Sequence, residues 1–469
     1  MTGLFRAMTT NDVRTENGMP TNSTSSDNVL DLFYKMGGFR GRSAGEVLLS
    51  FRKAYSEDRL LATKALFYHR DVRSGQGERS SFRAMFEWLC NTHPDVARAN
   101  LHNVPFYGRW DDVLAAFDTE VENDALELIS KALLSGDALC AKWMPRANKA
   151  KARLARKIMN YMGLSPREYR KLLVANTRVV ETQMCNNEWS AINFNSVPSN
   201  AISKLRKAFF RHDGERFSEW IKKLVSGNKS VKINASAIFP HDIVRKFLSF
   251  PTPSGAEATL LDEQWKALPN FVGEDNSFLA VCDVSGSMSG TPMEVSIALG
   301  IYLSERNVGP FKDGFITFSA NPKLQILNGT LSQRISQLAR SQWDMNTNLE
   351  SVFELILRTA IKHRLANRDL PKNVIILSDM QFDRCVYGSS KSAMDMIRNM
   401  YSSAGYTVPN VIFWNLRTST GVPAKSTESG VALVSGFSPS IMKTLLGGNT
   451  NPMKVMLATL NSDRYNRVV

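Results

Sequence analysis

Along most of the first half of the chain, apolar residues recur three and four positions apart, the spacing that gathers them on one face of an α-helix. The segments AGEVLLSFRKAY (44–55), DRLLATKALFYH (58–69) and SSFRAMFEWLCNT (80–92) show it most clearly. From Val29 to about Leu268 the alternation expected of strands is nearly absent. Short breaks carrying Gly or Pro interrupt the pattern at Gly75-Gln76-Gly77, Tyr107-Gly108, Gly163 to Pro166 and Val197-Pro198. Helices of ordinary length joined by such breaks predict a helical array of the HEAT or armadillo kind. No fixed-period sequence repeat accompanies the rhythm.

The stretch SFPTPSGAEATL (249–260) has the composition of a connection, and LLDEQWKAL (260–268) predicts one last helix. From Ser277 the pattern changes. SFLAVCDV, DGFITFS, KNVIILSD, PNVIFWNLR and GVALVSG are apolar runs of strand length, alternating with helical segments over 292–307 and 348–365. Strands apolar on both faces predict a parallel sheet covered on both sides. Ligands of such sheets bind beyond the carboxyl ends of the strands. The expected organisation is a flexible arm over 1–28, a helical domain over 29–268 and an α/β domain over 269–469. The arm is expected because MTTNDVRTENGMPTNSTSSDN is polar and buries too little to offset its ordering entropy.

Composition adds three limits. No run is apolar enough for a signal peptide or a membrane span, so a cytoplasmic location is expected. Cys90, Cys140, Cys185, Cys282 and Cys385 stand alone, which predicts small buried residues in a reducing compartment and neither a disulfide framework nor a zinc site. The six histidines are equally scattered. The net charge of +14 is uneven: residues 1–273 hold 39 Lys+Arg against 29 Asp+Glu, residues 274–469 only 19 against 15. An excess of this kind favours a polyanionic partner without requiring one.

The first strand of the second half runs into Asp283-Val284-Ser285-Gly286-Ser287, and Asp379 follows the strand in IILSDMQFD. Thr347 precedes the 348–365 helix. These five side chains offer only oxygen, which suits hard cations: Mg2+, Mn2+ or Ca2+. A Ser/Gly turn without metal is the plain alternative. A phosphatase nucleophile is the other, but it commonly needs a second carboxylate two residues on, where Ser285 stands; a hydroxyl cannot serve as that general acid. Asp383 reads as a solvated loop residue.

Asp-x-Ser-x-Ser with a downstream Thr and a later Asp after a strand resembles the metal-ion-dependent adhesion site of von Willebrand A domains, and the elements of 277–446 follow the same order. The resemblance implies direct ligation by Ser285, Ser287 and Thr347, with Asp283 and Asp379 mostly through water. One position would stay open for a partner's oxygen. The helical half resembles the TROVE modules that precede an A domain in the Ro autoantigen family, most closely a bacterial, viral and eukaryotic group of that layout. The segments carrying this are LFYHRDVRSGQGER (66–79), YGRWDDVL (107–114), YRKLLVANTRVVETQMCNNEWSAINFNSVPS (169–199) and GVALVSGFSPS (430–440). The resemblance spans roughly four-fifths of the chain. It implies a helical HEAT/TROVE-like module followed by a Rossmann-like von Willebrand A domain, and a ring of stacked helical pairs that binds small structured RNAs and single-stranded RNA ends.

The residues themselves point the same way in part. His69, Arg70, Arg73, Gln76 and Arg79 surround a Gly-rich break whose backbone suits close approach to phosphate. Arg146, Lys149, Lys151, Arg153, Arg156 and Lys157 concentrate cations; Arg146, Lys149, Arg153 and Arg156 are spaced to share a helical face. Tyr161, Tyr169 and Trp189 suit stacking on bases. Solvated helix faces and core aromatics are the bland alternative for each. The function expected is a ribonucleoprotein scaffold, not an enzyme, since no acid–base pair, Walker loop or activated nucleophile is present. Neither a membrane nor a small-molecule substrate is expected, and a protein partner would engage the metal site. An adaptor acting with a ring ATPase, without RNA, is the rival.

Overall fold

The apolar runs of the second half form a six-stranded sheet. In this computed structural model the described residues are 13–235, 238–273, 277–318, 322–341, 347–383, 392–417, 421–445 and 450–469. Two short strands near the start of the chain, β1 (Val13–Arg14) and β2 (Pro20–Thr21), pair antiparallel. The large sheet comprises β3 (Phe278–Cys282), β4 (Gly314–Thr317), β5 (Leu324–Ile326), β6 (Asn373–Ser378), β7 (Asn410–Asn415) and β8 (Val431–Ser435). Their order is β5-β4-β3-β6-β7-β8, with every pair parallel except β4 and β5. All residues of β3, β4 and β8 are buried, which is why these strands show no alternation in sequence. The order reverses between β3 and β6, so a crevice for ligands is expected at the carboxyl ends of those two strands.

The chain divides into two units that interleave in sequence. One joins the described residues of Met1–Gly41 with Arg52–Arg59 and Ile238–Ser462. The other comprises Arg42–Phe51, Leu60–Ala237 and Asp463–Val469. The expected boundary at 268/269 is thereby corrected. In the sheet unit the Asn28–Lys35 helix packs on β8, burying Val29, Leu30, Leu32, Phe33 and Tyr34. The Pro240–Leu248 helix packs on the Thr291–Arg306 helix, which covers β3, β4 and β6. Both lie outside the range assigned to the sheet domain from sequence, because helical periodicity reports a buried face but not the partner that covers it.

The flexible arm expected over 1–28 is corrected as far as it is described. Residues 19–22 are buried, and Asn22 exchanges backbone hydrogen bonds with Val422 at 3.2 and 2.7 Å. The Thr21 and Asn22 side chains here donate to the Val422 carbonyl, beside the buried Met19. Residues 1–12 lie outside the described residues.

In the helical unit, helices pack largely on their sequence neighbours: Ser80–Thr92 on Pro94–Asn100, and Glu122–Leu134 on Ala138–Trp143, Ala152–Met162 and Pro166–Asn176. Every break foreseen at Gly or Pro separates two helices. The last seven residues complete this unit. Arg464 clasps the fully buried Asp71, with Nη2 at 2.6 Å from Oδ1, and Tyr465 Oη donates to Asp71 Oδ2 at 3.1 Å. Among the described residues, no helix is long and apolar enough to cross a membrane.

Candidate metal centre and nucleic-acid interface

The pairing of β3 with β6 places Cys282 beside Leu377, so Asp283 and Asp379, following each strand, emerge at one edge. Asp283 is fully buried and held at both oxygens: the Ser285 N–H donates to Oδ1 at 2.9 Å and the Ser378 hydroxyl to Oδ2 at 2.7 Å. The Ser285 and Ser287 hydroxyl oxygens stand 3.0 Å apart. Asp379 is buried and accepts from the Gln381 N–H at 3.1 Å. Thr347 is buried, and its carbonyl accepts from the Asp383 N–H at 3.0 Å, which ties it to the same loop. The five oxygen residues foreseen from sequence are thus brought to one edge of the sheet.

Burial, and secondly the negative charge of Asp379, push the Asp283 carboxyl up to about 6, against the hydrogen bonds of Ser285 and Ser378. A buried carboxyl pushed up by a neighbouring carboxylate is an arrangement that a divalent cation would relieve, and the surrounding hydroxyls would complete a hard-oxygen donor set. The residues fit such an ion. Among the described residues, no group of three or more His, Cys, Asp or Glu gathers anywhere, this edge included, so the site would rest on two carboxylates and three hydroxyls. Sequence reasoning missed Ser378, whose role as a donor to Asp283 depends on two strands distant in the chain. Asp383 was misread as solvated. It is half-buried, and burial raises its carboxyl above the ordinary range.

The Gly-rich break between 70 and 79 is mostly internal structure. His69 is buried between Gln76 Oε1 at 2.7 Å and Ser81 Oγ at 2.6 Å. Arg70 is 2% exposed, and its Nε donates to the fully buried Asp112 Oδ2 at 2.8 Å. That corrects its assignment to phosphate. Arg83 joins Asp112 at 2.7 Å, and Arg109 joins Asp111 at 2.7 Å while its guanidinium lies 3.7 Å from the centre of the Trp143 ring. Gly108 is required here, since a Cβ would lie 2.5 Å from Asp112 Oδ2 and 2.8 Å from Arg70 Nε. Arg73 and Arg79 remain exposed; Arg73 Nη1 donates to the Phe106 carbonyl at 3.1 Å.

The shared helical face proposed for the second cluster is also corrected. The helix there begins only at Ala152, so Arg146 and Lys149 lie in the turn before it. Pro145 forces the preceding Met144 into an extended conformation and ends the Ala138–Trp143 helix. Arg153 is exposed but paired in parallel with both oxygens of Asp118, at 2.9 and 2.6 Å. Lys157 bridges Asp118 and Glu122. Lys149, Lys151 and Arg156 are exposed, and their side chains have no ion-pair partner among the described residues.

The same holds for Arg167, Arg170, Lys171 and Arg178 in and just after the next helix, which sequence reasoning did not single out. The signal was available: residues 138–180 hold eleven Lys or Arg and one acid, Glu168, so the basic excess of the first half concentrates here. Glu168 itself is occupied in capping its own helix through Ser165. Tyr161 is exposed and Trp189 half-exposed, stacked on His212 at 4.3 Å, whereas Tyr169 is buried with its hydroxyl donating to the Pro145 carbonyl. Tyr169 is therefore not available to stack on a base. Cys90, Cys140 and Cys282 are buried as expected; Cys185 is exposed, and Cys385 lies outside the described residues.

Comparison with known proteins adds the following. Residues 15–116 and 126–275 match the family model described as a domain of unknown function (DUF2828), and residues 277–464 match that of a domain of unknown function (DUF7788). "Uncharacterized protein L728" of Acanthamoeba polyphaga mimivirus is 31% identical over 503 residues, covering 95% of this chain and 86% of that protein. The crystal structure of the Deinococcus radiodurans RO (RSR) protein aligns at a TM-score of 0.41 and 12% identity, over 93% of this chain and 99% of that one. A score that low carries no argument about ligand or activity.

Proposed function

This chain belongs to the family of the domain of unknown function DUF2828, and we propose that it is a non-catalytic scaffold. In this reading it binds single-stranded RNA on its helical unit and a protein partner through a divalent cation at the sheet edge. The observation that carries the RNA reading is the run of exposed cations without ion-pair partners among the described residues: Lys149, Lys151, Arg156, Arg167, Arg170, Lys171 and Arg178. Charges left unpaired by their own protein favour a polyanion, and release of its counterions drives binding without regard to sequence. Tyr161 and Trp189 on the same unit supply stacking surfaces for bases.

The test is the salt dependence of binding to a fluorescent oligouridine. Log affinity should fall linearly with log salt, by about 0.7 per phosphate contact for a single strand. Replacing Lys149, Arg156, Arg167 and Arg170 by Ala should make that slope shallower by up to about 3. The same number of changes at Lys323, Arg358, Lys362 and Arg368 in the sheet unit should leave it unchanged. Absence of salt-sensitive binding at low ionic strength would overturn the RNA reading in favour of an adaptor without RNA.

The sheet unit is read as a von Willebrand A domain on its strand order and on the Asp283, Ser285, Ser287, Thr347 and Asp379 donor set. Mg2+ suits that set, as do Mn2+ and Ca2+, and when bound it offers a partner carboxylate a Lewis-acidic position. Ser378 orients Asp283, and Gln381 orients Asp379. Asp283→Ala should abolish Mn2+ binding in calorimetry with the fold intact, and pull-downs with and without EDTA should differ in the protein recovered.

A further inference from the structure

The polar segment before the first helix does more than cover the sheet unit. Between β1 and β2 it turns at Gly18 and lays Thr15, Glu16 and Asn17 along the loop that follows Asp379. Thr15 Oγ1 donates to the Phe382 carbonyl at 2.7 Å, and the Glu16 N–H donates to Gln381 Oε1 at 2.7 Å. Asn17 Nδ2 donates to the Gln381 carbonyl at 2.7 Å, and Gly18 bridges to Asp383. Gln381 is therefore gripped at its side chain and its carbonyl while its own N–H orients Asp379. Asp383, held by the same segment, donates its N–H to the Thr347 carbonyl. Two of the five oxygen residues are thus tied to one strap.

The seat of the strap is close. Gly421 faces Thr21 where a Cβ would lie 2.3 Å from Thr21 Cγ2, and the void between strap and loop measures only 10 Å³. The gripped loop also needs holding, because Met380, next to Asp379, has φ of +65°. A left-handed conformation is unfavourable for a residue with a Cβ, and such conformations persist only where the surroundings over-determine them. Thr15, Glu16 and Asn17 supply part of that hold on the loop that carries Asp379 and, through Asp383, contacts Thr347.

We propose that residues 15–18 are positioning residues for the cation site, and that strap docking and cation binding are thermodynamically linked. This rests on the cation reading above. By linkage, if the docked strap raises cation affinity by some factor, the cation stabilises the docked strap by the same factor.

The experiment uses the full chain and Mn2+ as probe. Thr15→Val combined with Asn17→Ala removes two side-chain donors and should weaken Mn2+ binding in calorimetry about tenfold, two hydrogen bonds together contributing on that order. Thr15→Ser with native Asn17 should restore it. Arg334→Ala, which removes the ion pair with Asp313 and touches no strap residue, should lower thermal stability and leave Mn2+ affinity unchanged. In the wild-type protein, saturating Mn2+ should slow hydrogen exchange at residues 15–22, and Asp283→Ala should abolish that slowing. Exchange at 15–22 indifferent to Mn2+ in a wild-type chain that binds it overturns the linkage while leaving the cation reading in place. A wild-type chain that binds no Mn2+ overturns both.

Discussion

At the scale of single residues, charge types were easier to recognise in the sequence than their partners. Arg70 sits in a basic, Gly-rich stretch and looks like a phosphate ligand, yet Asp112, forty-two positions on, neutralises it in the interior. Breaking a buried pair from one side costs about 3–5 kcal/mol where the other charge is left alone; Asp112 keeps Arg83, so the cost here lies toward or below the lower end of that range. Arg70→Ala should therefore lower the urea midpoint sharply, and binding of oligouridine by the fraction still folded should not change. His241 is a second case where context overrides type. Its ring is buried, 5.6 Å from Phe239 and 5.4 Å from Phe437, and desolvation pushes its pKa down to about 4 from the ordinary 6.5. Between those values the unfolded chain takes up a proton that the folded chain refuses, so stability falls as pH drops from 6.5 toward 4 and this contribution changes no further below. The loss is on the order of 3 kcal/mol. In His241→Phe, urea unfolding followed across that range should lack this component; an identical pH profile in wild type and variant would refute the assignment.

Among elements, long and strongly patterned segments were legible and short ones were not. The Ser80–Thr92 helix and strands β3, β6, β7 and β8 lie within the segments their apolar pattern marks. The edge strand β5 has three residues, too few for any period to register, and its antiparallel pairing comes from tertiary context. The turn that removes Arg146 and Lys149 from the next helix was written in Pro145, whose effect on its neighbour outweighs the charge periodicity around it. The oxygen donor set was legible because its residue types and strand-end positions are local, while the supports from Ser378 and Gln381 were not. Strand β5 leaves Leu324 49% and Ile326 51% exposed at the sheet edge. Such an edge invites pairing between copies, which a charge suppresses. Ile326→Lys should reduce concentration-dependent light scattering while altering stability by no more than about 0.5 kcal/mol.

For the whole molecule, the boundary between helical and strand-rich sequence is not the boundary between the units. The family models meet near residue 276, close to where the sequence pattern changes, but the sheet unit also recruits residues up to Gly41 and the Ile238–Leu268 region. A fragment spanning 269–469 should consequently unfold without cooperativity and bind a hydrophobic dye, having lost the covers of β8 and of the Thr291–Arg306 helix. A sharp urea transition matching that of the sheet unit in the full chain would show those covers to be dispensable. The recruitment of early residues has a consequence for synthesis on the ribosome. The Asn28–Lys35 helix emerges with Leu30, Phe33 and Tyr34 ready for burial, but the β8 strand it packs on is translated about four hundred residues later. At roughly 5–20 residues per second that is a wait of about 20–80 s. For that interval the nascent chain presents an apolar helix without its native cover, and the rate of elongation, rather than the stability of the finished sheet, sets how long that surface stays open to other chains.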